Sequence, residues 1–282
     1  MAFEEWRPLL FGIAYRMLGS GADAEDMVQE ACLRWLQRGD EPVESVRAYV
    51  VTIVTRLCID QLESARVKRV AYVGPWLPEP VIVDEPSMVE QADSLSLAFL
   101  VLLEELTPPE RAAYLLHDIF GYRFDEIALS LGRTASGCRQ LAARARKRIG
   151  DRRQRFDADL RHGRDLTNQF VVACGTGDLE GLMALLSDDV VVWTDGGGKV
   201  RAALRPVVGS FRSSRFLLNV AKKLQGEPRE ATLNGQPAMV FVAEGRVVAS
   251  LILDILNGQI VGVRVVSNPD KLEQLSNVIG TK

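Results

Sequence analysis

At 282 residues the chain is long enough for about two domains with separate cores, and its 47% hydrophobic and 25% charged residues exclude a low-complexity or disulfide-stapled chain. The net charge of −3 excludes a uniformly basic nucleic-acid binder. It conceals a segregation, however: residues 1–105 carry 9 basic and 18 acidic side chains, residues 106–164 carry 13 and 7 (net +6), and residues 165–282 carry 12 and 12, so the middle segment has the local footprint of phosphate contact inside an acidic protein.

Residues 3–70 read as helical throughout, with helices expected over 4–18, 23–36 and 46–69. The second carries Val28, Ala31, Cys32, Trp35 and Leu36 on one side and Asp23, Glu25, Asp26, Gln29 and Glu30 largely on the other. By itself such a charged face is equally well a solvated one. Residues 71–94 contain four prolines, five acidic residues and no Lys or Arg, which reads as a stiff, extended linker. Within it, Trp76, Leu77 and Pro78 place a large aromatic and apolar group where a plain spacer needs none, so this stretch is expected to dock.

A second helical unit is expected over 95–150. Thr107 reads as an N-cap, Pro108 fits the first helical position, and this helix should run to about His117. Residues 124–149 then read as a helix-turn-helix: Ile127, Ala128 and Leu131 form one apolar face, Gly132 allows the turn, and Thr134 caps a second helix whose Cys138, Leu141, Ala142, Ala145 and Ile149 face inward. Thr134 and the outward Ser136, Arg139, Gln140, Arg144 and Lys147 are then candidates for DNA contact, since Arg bridges two acceptors of guanine, Gln pairs with adenine, and the later cations suit phosphates. A helical hairpin whose basic end offsets a helix dipole is the competing reading of the same pattern.

After a charged connector, 151–164, the pattern changes. Residues 165–282 read as two helices followed by β-rich runs at 189–195, 229–234, 237–244, 246–256 and 259–267, separated by Asn234-Gly235, Glu244-Gly245 and Asn257-Gly258 turn signals. An α+β domain with a curved antiparallel sheet is expected. Asp195, Gly196, Gly197, Gly198 and Lys199 read as a tight hairpin presenting Lys199 to a protein neighbour, because the phosphate-loop spacing is absent. Asn268, Pro269, Asp270, Lys271 and Leu272 read as a turn leading into a short helix over 269–275 that packs on another domain.

Cys32, Cys58, Cys138 and Cys174 lack C-x-x-C spacing or a nearby His and are expected as reduced core thiols, with no metal or cofactor implied. No run of about 18 apolar residues and no signal-peptide pattern is found, from which no membrane segment and a cytoplasmic location are expected. Residues 165–282 contain neither His nor Tyr, so catalysis is not expected there; Asp195 and Asp254 are expected in structural roles, Asp254 with a partner for its inward carboxylate.

In order, these segments resemble bacterial sigma factors of the extracytoplasmic-function (ECF) type over residues 1–150. DAEDMVQEACLRWL (23–36) is similar to sigma region 2, and the resemblance implies that Asp26, Gln29 and Glu30 contact the β′ clamp helices of the RNA polymerase core. RAYVVTIVTRLCIDQLESARVKR (47–69) resembles the part that opens the minus-10 element, implying phosphate contacts by Arg56, Arg66, Lys68 and Arg69. LTPPERAAYLLHDIFGYRFDEIALSLGRTASGCRQLAARARKRI (106–149) resembles region 4, which reads the minus-35 element and meets the β flap.

WLPEP (76–80), DGGGK (195–199) and NPDKL (268–272), in that order, resemble the ECF subgroup with a fused SnoaL-like domain of the nuclear-transport-factor-two-like fold. The resemblance implies a cone with an apolar pocket, able to take a small-molecule ligand, acting as a built-in regulator. In this picture the tail docks through the three motifs on the two sigma units, and the acidic linker lies near the polymerase RNA path. Gly137 and Ala135 depart from residues common in the family, so promoter preference does not carry over. A ligand-sensing helix-turn-helix factor independent of polymerase and a pocket enzyme fused to a DNA-binding module are the competing readings.

Overall fold

The computed structural model describes residues 3–38, 42–70, 72–82, 94–150 and 160–279; for 65–70 and 160 it describes the backbone alone. The described residues gather into two compact units, one of residues 3–70, 94–95 and 99–150, the other of residues 72–82, 96–98 and 160–279.

The first unit is helical. A 3-10 turn, Glu4–Trp6, leads into α1 (Arg7–Leu18), followed by α2 (Gly21–Gln37) and α3 (Val46–Val70). Local chemistry sets the boundaries: Gly19 ends α1 in a left-handed conformation, and the Ser20 hydroxyl caps α2 by accepting from the Asp23 amide at 3.1 Å. Leu10, Ile13 and Met17 of α1, Ala24, Val28 and Ala31 of α2, and Val50, Val54 and Cys58 of α3 are buried as these three helices pack together. Next come α4 (Leu97–Leu103), α5 (Pro108–Tyr114) running into a π-helical turn (Leu115–Ile119), α6 (Phe124–Leu131) and α7 (Ala135–Ile149). The Glu110 carboxylate accepts from the Thr107 amide at 3.1 Å and its hydroxyl at 2.8 Å, closing the start of α5.

Two features differ from the sequence reading. Leu36 is 68% exposed and Leu33 52%, so the buried side of α2 is Val28 and Ala31 with Cys32 and Trp35 at its margin. Residues 1–70 and 95–150 were read as separate modules, yet α3 packs on α5 and α6 within one unit.

The second unit opens with α8 (Leu160–Thr176) and α9 (Leu179–Leu185), so a helix already begins inside the segment read as a connector up to 164. Residues 151–159 of that connector, and 83–93 of the linker, lie outside the described residues. There follow β1 (Leu186–Asp195), β2 (Val207–Val208), α10 (Ser210–Ala221), β3 (Glu227–Leu233), β4 (Gln236–Ala243), β5 (Arg246–Leu256), β6 (Gln259–Val266) and α11 (Pro269–Ile279). The sheet order is β2-β1-β6-β5-β4-β3, and the three hairpins turn on the three X-Gly pairs named from sequence, each with positive φ at both positions. The sheet is mixed and not purely antiparallel, because β1 returns parallel to β6. Register shifts in the β1–β6, β4–β5 and β5–β6 pairs mark bulges that curve it.

Phe170, Leu182, Val190, Val192, Leu217, Met239, Leu253 and Val263 are core residues, contributed by α8, α9, α10 and the sheet. Helix α10, which the sequence reading left unassigned, starts at Gly209 with no side-chain cap to announce it, and packing of Leu217 fixes it. Helix α11 runs to Ile279 and packs on β5 of its own domain, in place of the foreign domain expected.

Candidate functional site

Helix α7 turns its Cys138, Leu141, Ala142, Ala145 and Ile149 inward and leaves Ser136, Arg139, Gln140, Arg144 and Lys147 exposed. Gly132 makes the turn at φ 61°, and the Thr134 hydroxyl caps the helix by accepting from the Gly137 amide at 3.1 Å. Arg139 lies with its guanidinium 5.8 Å from the Phe124 ring centroid, which restricts where it points. The later cations are partly neutralised from behind. Arg144 and Arg148 pair with Glu110 at 3.2 and 2.6 Å, and Arg146 pairs with Asp118 at 2.8 Å. Burial pushes the Glu110 carboxyl up, but the Thr107 hydrogen bonds and the two arginines outweigh it and hold it below the usual glutamate range.

Among the cations proposed from sequence for the minus-10 element, Arg56 is engaged inside the first unit: Nε donates to the Ser130 carbonyl at 2.9 Å and Nη2 to the Leu129 carbonyl at 2.8 Å. Both acceptors sit at the C-terminal end of α6, the negative end of its dipole. One turn earlier on α3, the Thr52 and Ser130 hydroxyls are 2.8 Å apart, and Arg47 donates to the Tyr122 hydroxyl at 3.0 Å. Arg111 reaches from α5 to the Met17 carbonyl at 2.5 Å and pairs with Glu104 at 2.8 Å; burial pulls its guanidinium below the usual arginine range. The side chains of Arg66, Lys68 and Arg69 lie outside the described residues.

On α2, Asp26 and Gln29 are exposed and Glu30 pairs with Arg34 one turn on, at 2.9 Å. Leu33 and Leu36 continue this face at helical spacing, and sequence reasoning missed them by assigning Leu36 to the core.

The second unit brings the three motifs into one cluster around Asp195, which is fully buried. Its Oδ1 accepts from the Tyr72 hydroxyl at 2.5 Å and the Gly197 amide at 3.0 Å; its Oδ2 accepts from the Leu77 amide at 2.9 Å and from Lys271 Nζ at 2.7 Å. Lys271 Nζ also donates to the Leu77 carbonyl and lies 4.3 Å from the Trp76 ring centroid. Asn268 caps α11 by accepting from the Asp270 amide at 3.2 Å and donates to the Tyr72 oxygen at 3.0 Å. Leu77, Pro78 and Leu272 are buried, while Pro269 is exposed. Glycine is required next to Asp195 for steric reasons: a Cβ on Gly196 would lie 2.1 Å from the Val200 carbonyl oxygen, and one on Gly197, at φ 61°, 2.3 Å from the Asn268 amide nitrogen. Gly198 completes the exposed tip of the turn. Burial, then the Asp195 hydrogen bond, push the Tyr72 phenol upward. Further along, Val81 and Asn234 exchange two hydrogen bonds, of 3.1 and 2.8 Å.

The linker of 71–94 is therefore no free spacer over its first half, since 72–82 are laid on the tail domain. Lys199 does not reach out to a neighbour either; it pairs with Asp270 of its own domain at 2.7 Å, both partners exposed. Lys271 is the cation that meets the linker. Tyr72, which the sequence reading passed over, enters the cluster from outside the segment whose lack of Tyr was noted.

Elsewhere in the domain a cavity of about 220 Å³ is lined by Phe170, Val171, Cys174, Leu217, Phe241 and Leu251, among other apolar side chains. Burial pushes the Cys174 thiol up to about 12, which keeps it protonated at neutral pH. Asp254 finds the partner expected for it in Arg264, at 2.8 Å, both buried.

Residues 2–67 match the family model of Sigma-70 region 2, and residues 96–149 that of Sigma-70, region 4. The chain is 36% identical to the ECF RNA polymerase sigma factor SigJ of Mycobacterium tuberculosis, over 95% of this chain and 91% of that one. The chain belongs to the ECF RNA polymerase sigma factors. The probable ECF sigma factor SigI of the same organism is 33% identical over 99% of this sigma factor and 96% of its own length. The crystal structure of M. tuberculosis SigJ matches with a TM-score of 0.77 at 34% identity, covering 96% and 97% of the two chains, so the tail domain belongs to the family architecture. As a sigma factor the protein serves transcription initiation, and RNA polymerase core and promoter DNA are the partners of its family. A polymerase-independent operator binder is not favoured, and the family is not one of enzymes. No described helix is long and apolar enough to cross a membrane.

Proposed function

We propose that this sigma factor restrains its own promoter binding through the tail domain, and that the Asp195 cluster is the device. The observation that carries the reading is that WLPEP, DGGGK and NPDKL meet at one buried, hydrogen-bonded carboxylate. Fully extended, the 24 residues 71–94 would span roughly 80 Å, but with 72–82 docked the remaining 83–93 could span at most about 40 Å. Promoter elements 25 base pairs apart are separated by about 85 Å of duplex. Docking therefore halves the reach available to the linker. In the same state Arg56 is occupied by α6 carbonyls and is withheld from phosphates.

In this reading Asp26, Gln29 and Glu30, extended by Leu33 and Leu36, bind the β′ clamp helices. Arg56, Arg66, Lys68 and Arg69 hold the minus-10 strand. Thr134, Ser136, Arg139, Gln140, Arg144 and Lys147 hold the minus-35 element, with α5 to α7 meeting the β flap. Binding to core competes with the closed state, a shift that requires a differential affinity of a few kcal/mol. A tail that regulates without turnover is supported by a cavity lined mainly by apolar groups; a small apolar ligand there would bias the same equilibrium. The protein acts in the cytoplasm, where polymerase and DNA are.

Run-off transcription with polymerase core tests this, comparing the full chain with Lys271→Met, which keeps the stem against Trp76 but removes the charge. Transcription several-fold above the parent is expected. An unchanged or lower yield from a variant that binds core normally overturns the restraint.

A further inference from the structure

The tail domain also carries a charged surface that the restraint does not use. Of its 12 basic residues, seven fall between 199 and 223, and residues 196–226 contain no acidic residue. On α10, Ser213, Ser214 and Leu217 face inward, while Arg212, Arg215 and Asn219, followed by Lys222 and Lys223 in the next turn, are exposed along the opposite side. At 100° per residue these five positions fall within roughly a quarter of the helix circumference, so they form a stripe. Among the described residues, none of the four cations makes an ion pair. Arg215 rests 5.7 Å from the Phe211 ring centroid, which holds its guanidinium outward.

Helix stability does not explain the stripe. Lysines at the C-terminal end suit the helix dipole, but Arg212 and Arg215 lie in the first two turns, where the dipole disfavours cations and where no acidic residue stands. From Arg212 to Lys223 is about 16 Å along the helix, over which one strand of duplex carries roughly four to five phosphates. Four unpaired cations match that density. The ten residues 150–159 between α7 and α8 can span at most about 35 Å, so the chain tethers the stripe's domain to a DNA-bound α7.

We infer that the α10 stripe is a second, sequence-independent DNA-binding surface, which grips duplex phosphates next to the promoter element. The inference rests on the family's use of promoter DNA and is independent of the restraint by Asp195. Cations that contact phosphates make affinity fall with salt, each contributing about 0.9 to the slope of log K against log salt.

The test is fluorescence anisotropy of the full chain on a promoter duplex and on a scrambled duplex of equal length, across a salt series. Changing Arg212, Arg215, Lys222 and Lys223 together to Ala should weaken binding equally on both duplexes and reduce the slope by about three to four, whereas Arg212→Lys with Arg215→Lys should keep it. Arg139→Ala with Gln140→Ala should instead erase the difference between the duplexes and leave the stripe's share of the slope, which separates failure of the stripe from failure of the recognition helix. Unchanged affinity and slope in the fourfold variant overturn the inference. So does a gain in affinity, which would mean that the stripe holds acidic residues of the chain itself, and so does equal loss in the Lys-swapped variant.

Discussion

Asp195 and Arg56 each tie together segments far apart in sequence, with separations of 118 to 123 residues for Asp195 and 73 to 74 for Arg56, yet they are built in opposite ways. Asp195 is fully buried, and both its oxygens are occupied by two donors each. Arg56 is exposed and donates to two backbone carbonyls that water could satisfy. A buried, satisfied carboxylate is costly to open, because separation leaves a charge in a poor solvent. An exposed guanidinium exchanges one set of oxygens for another at little cost, and phosphate oxygens are as good as carbonyls. The first arrangement suits a lock that only another binding event releases, the second a latch that DNA itself displaces.

The contrast is most easily broken at Lys271. Lys271→Met leaves Asp195 buried without its cation and is expected to cost about 3–5 kcal/mol in the second unit, with faster amide exchange across 72–82. Retained protection of 72–82 in that variant would show that the cluster is not what holds the linker. A smaller effect is expected at Glu110, whose caps and arginine partners tie α5 to α7. Its carboxyl is held below the ordinary range, so its contribution is fully present above the unfolded glutamate value and is lost as pH falls through its folded one. Glu110→Gln should therefore cost about 1–2 kcal/mol at neutral pH and flatten the acid limb of stability, read from unfolding midpoints at several pH values. Arg56→Ala should change stability by about 1 kcal/mol or less while weakening binding to a single-stranded minus-10 oligonucleotide; the reverse pattern would make Arg56 a structural anchor. Least is expected at Lys199, where the exposed pair with Asp270 makes Lys199→Ala nearly neutral, within about 1 kcal/mol by thermal unfolding.

Much of the fold was legible because it is written locally. Thr107 before Pro108, Gly132 with Thr134, and the three X-Gly hairpins are signals carried by residues a few positions apart, and the structure uses each as its chemistry suggests. The inward residues of α7 followed from helical spacing alone. Helix α10 did not, since no capping side chain marks its start at Gly209 and its place is fixed by packing in the domain core. The parallel pairing of β1 with β6 was equally hidden, because no turn signal joins strands so far apart.

The candidate sites divide in the same way. Motif spelling drew attention to residues 76–78, 195–199 and 268–272, with Lys199 expected to meet a protein neighbour, but the lysine that meets Asp195 and the linker is Lys271. Lys199 and Lys271 are equivalent as letters. Lys271 stands three residues beyond the Asn268 cap, in the first turn of α11, and meets Asp195, whereas Lys199 follows a turn that aims it at Asp270.

By itself the sequence determined the helical units, the helix-turn-helix, the α+β tail and the sigma-factor family, because each depends on periodicity, caps and turns within one short window. Only the tertiary structure decided that Asp195 gathers the linker, that Arg56 faces carbonyls and that α10 presents its cations on one exposed side. Those facts depend on side chains from distant segments sharing one dielectric environment, and burial and pairing of that kind are properties of the folded chain alone.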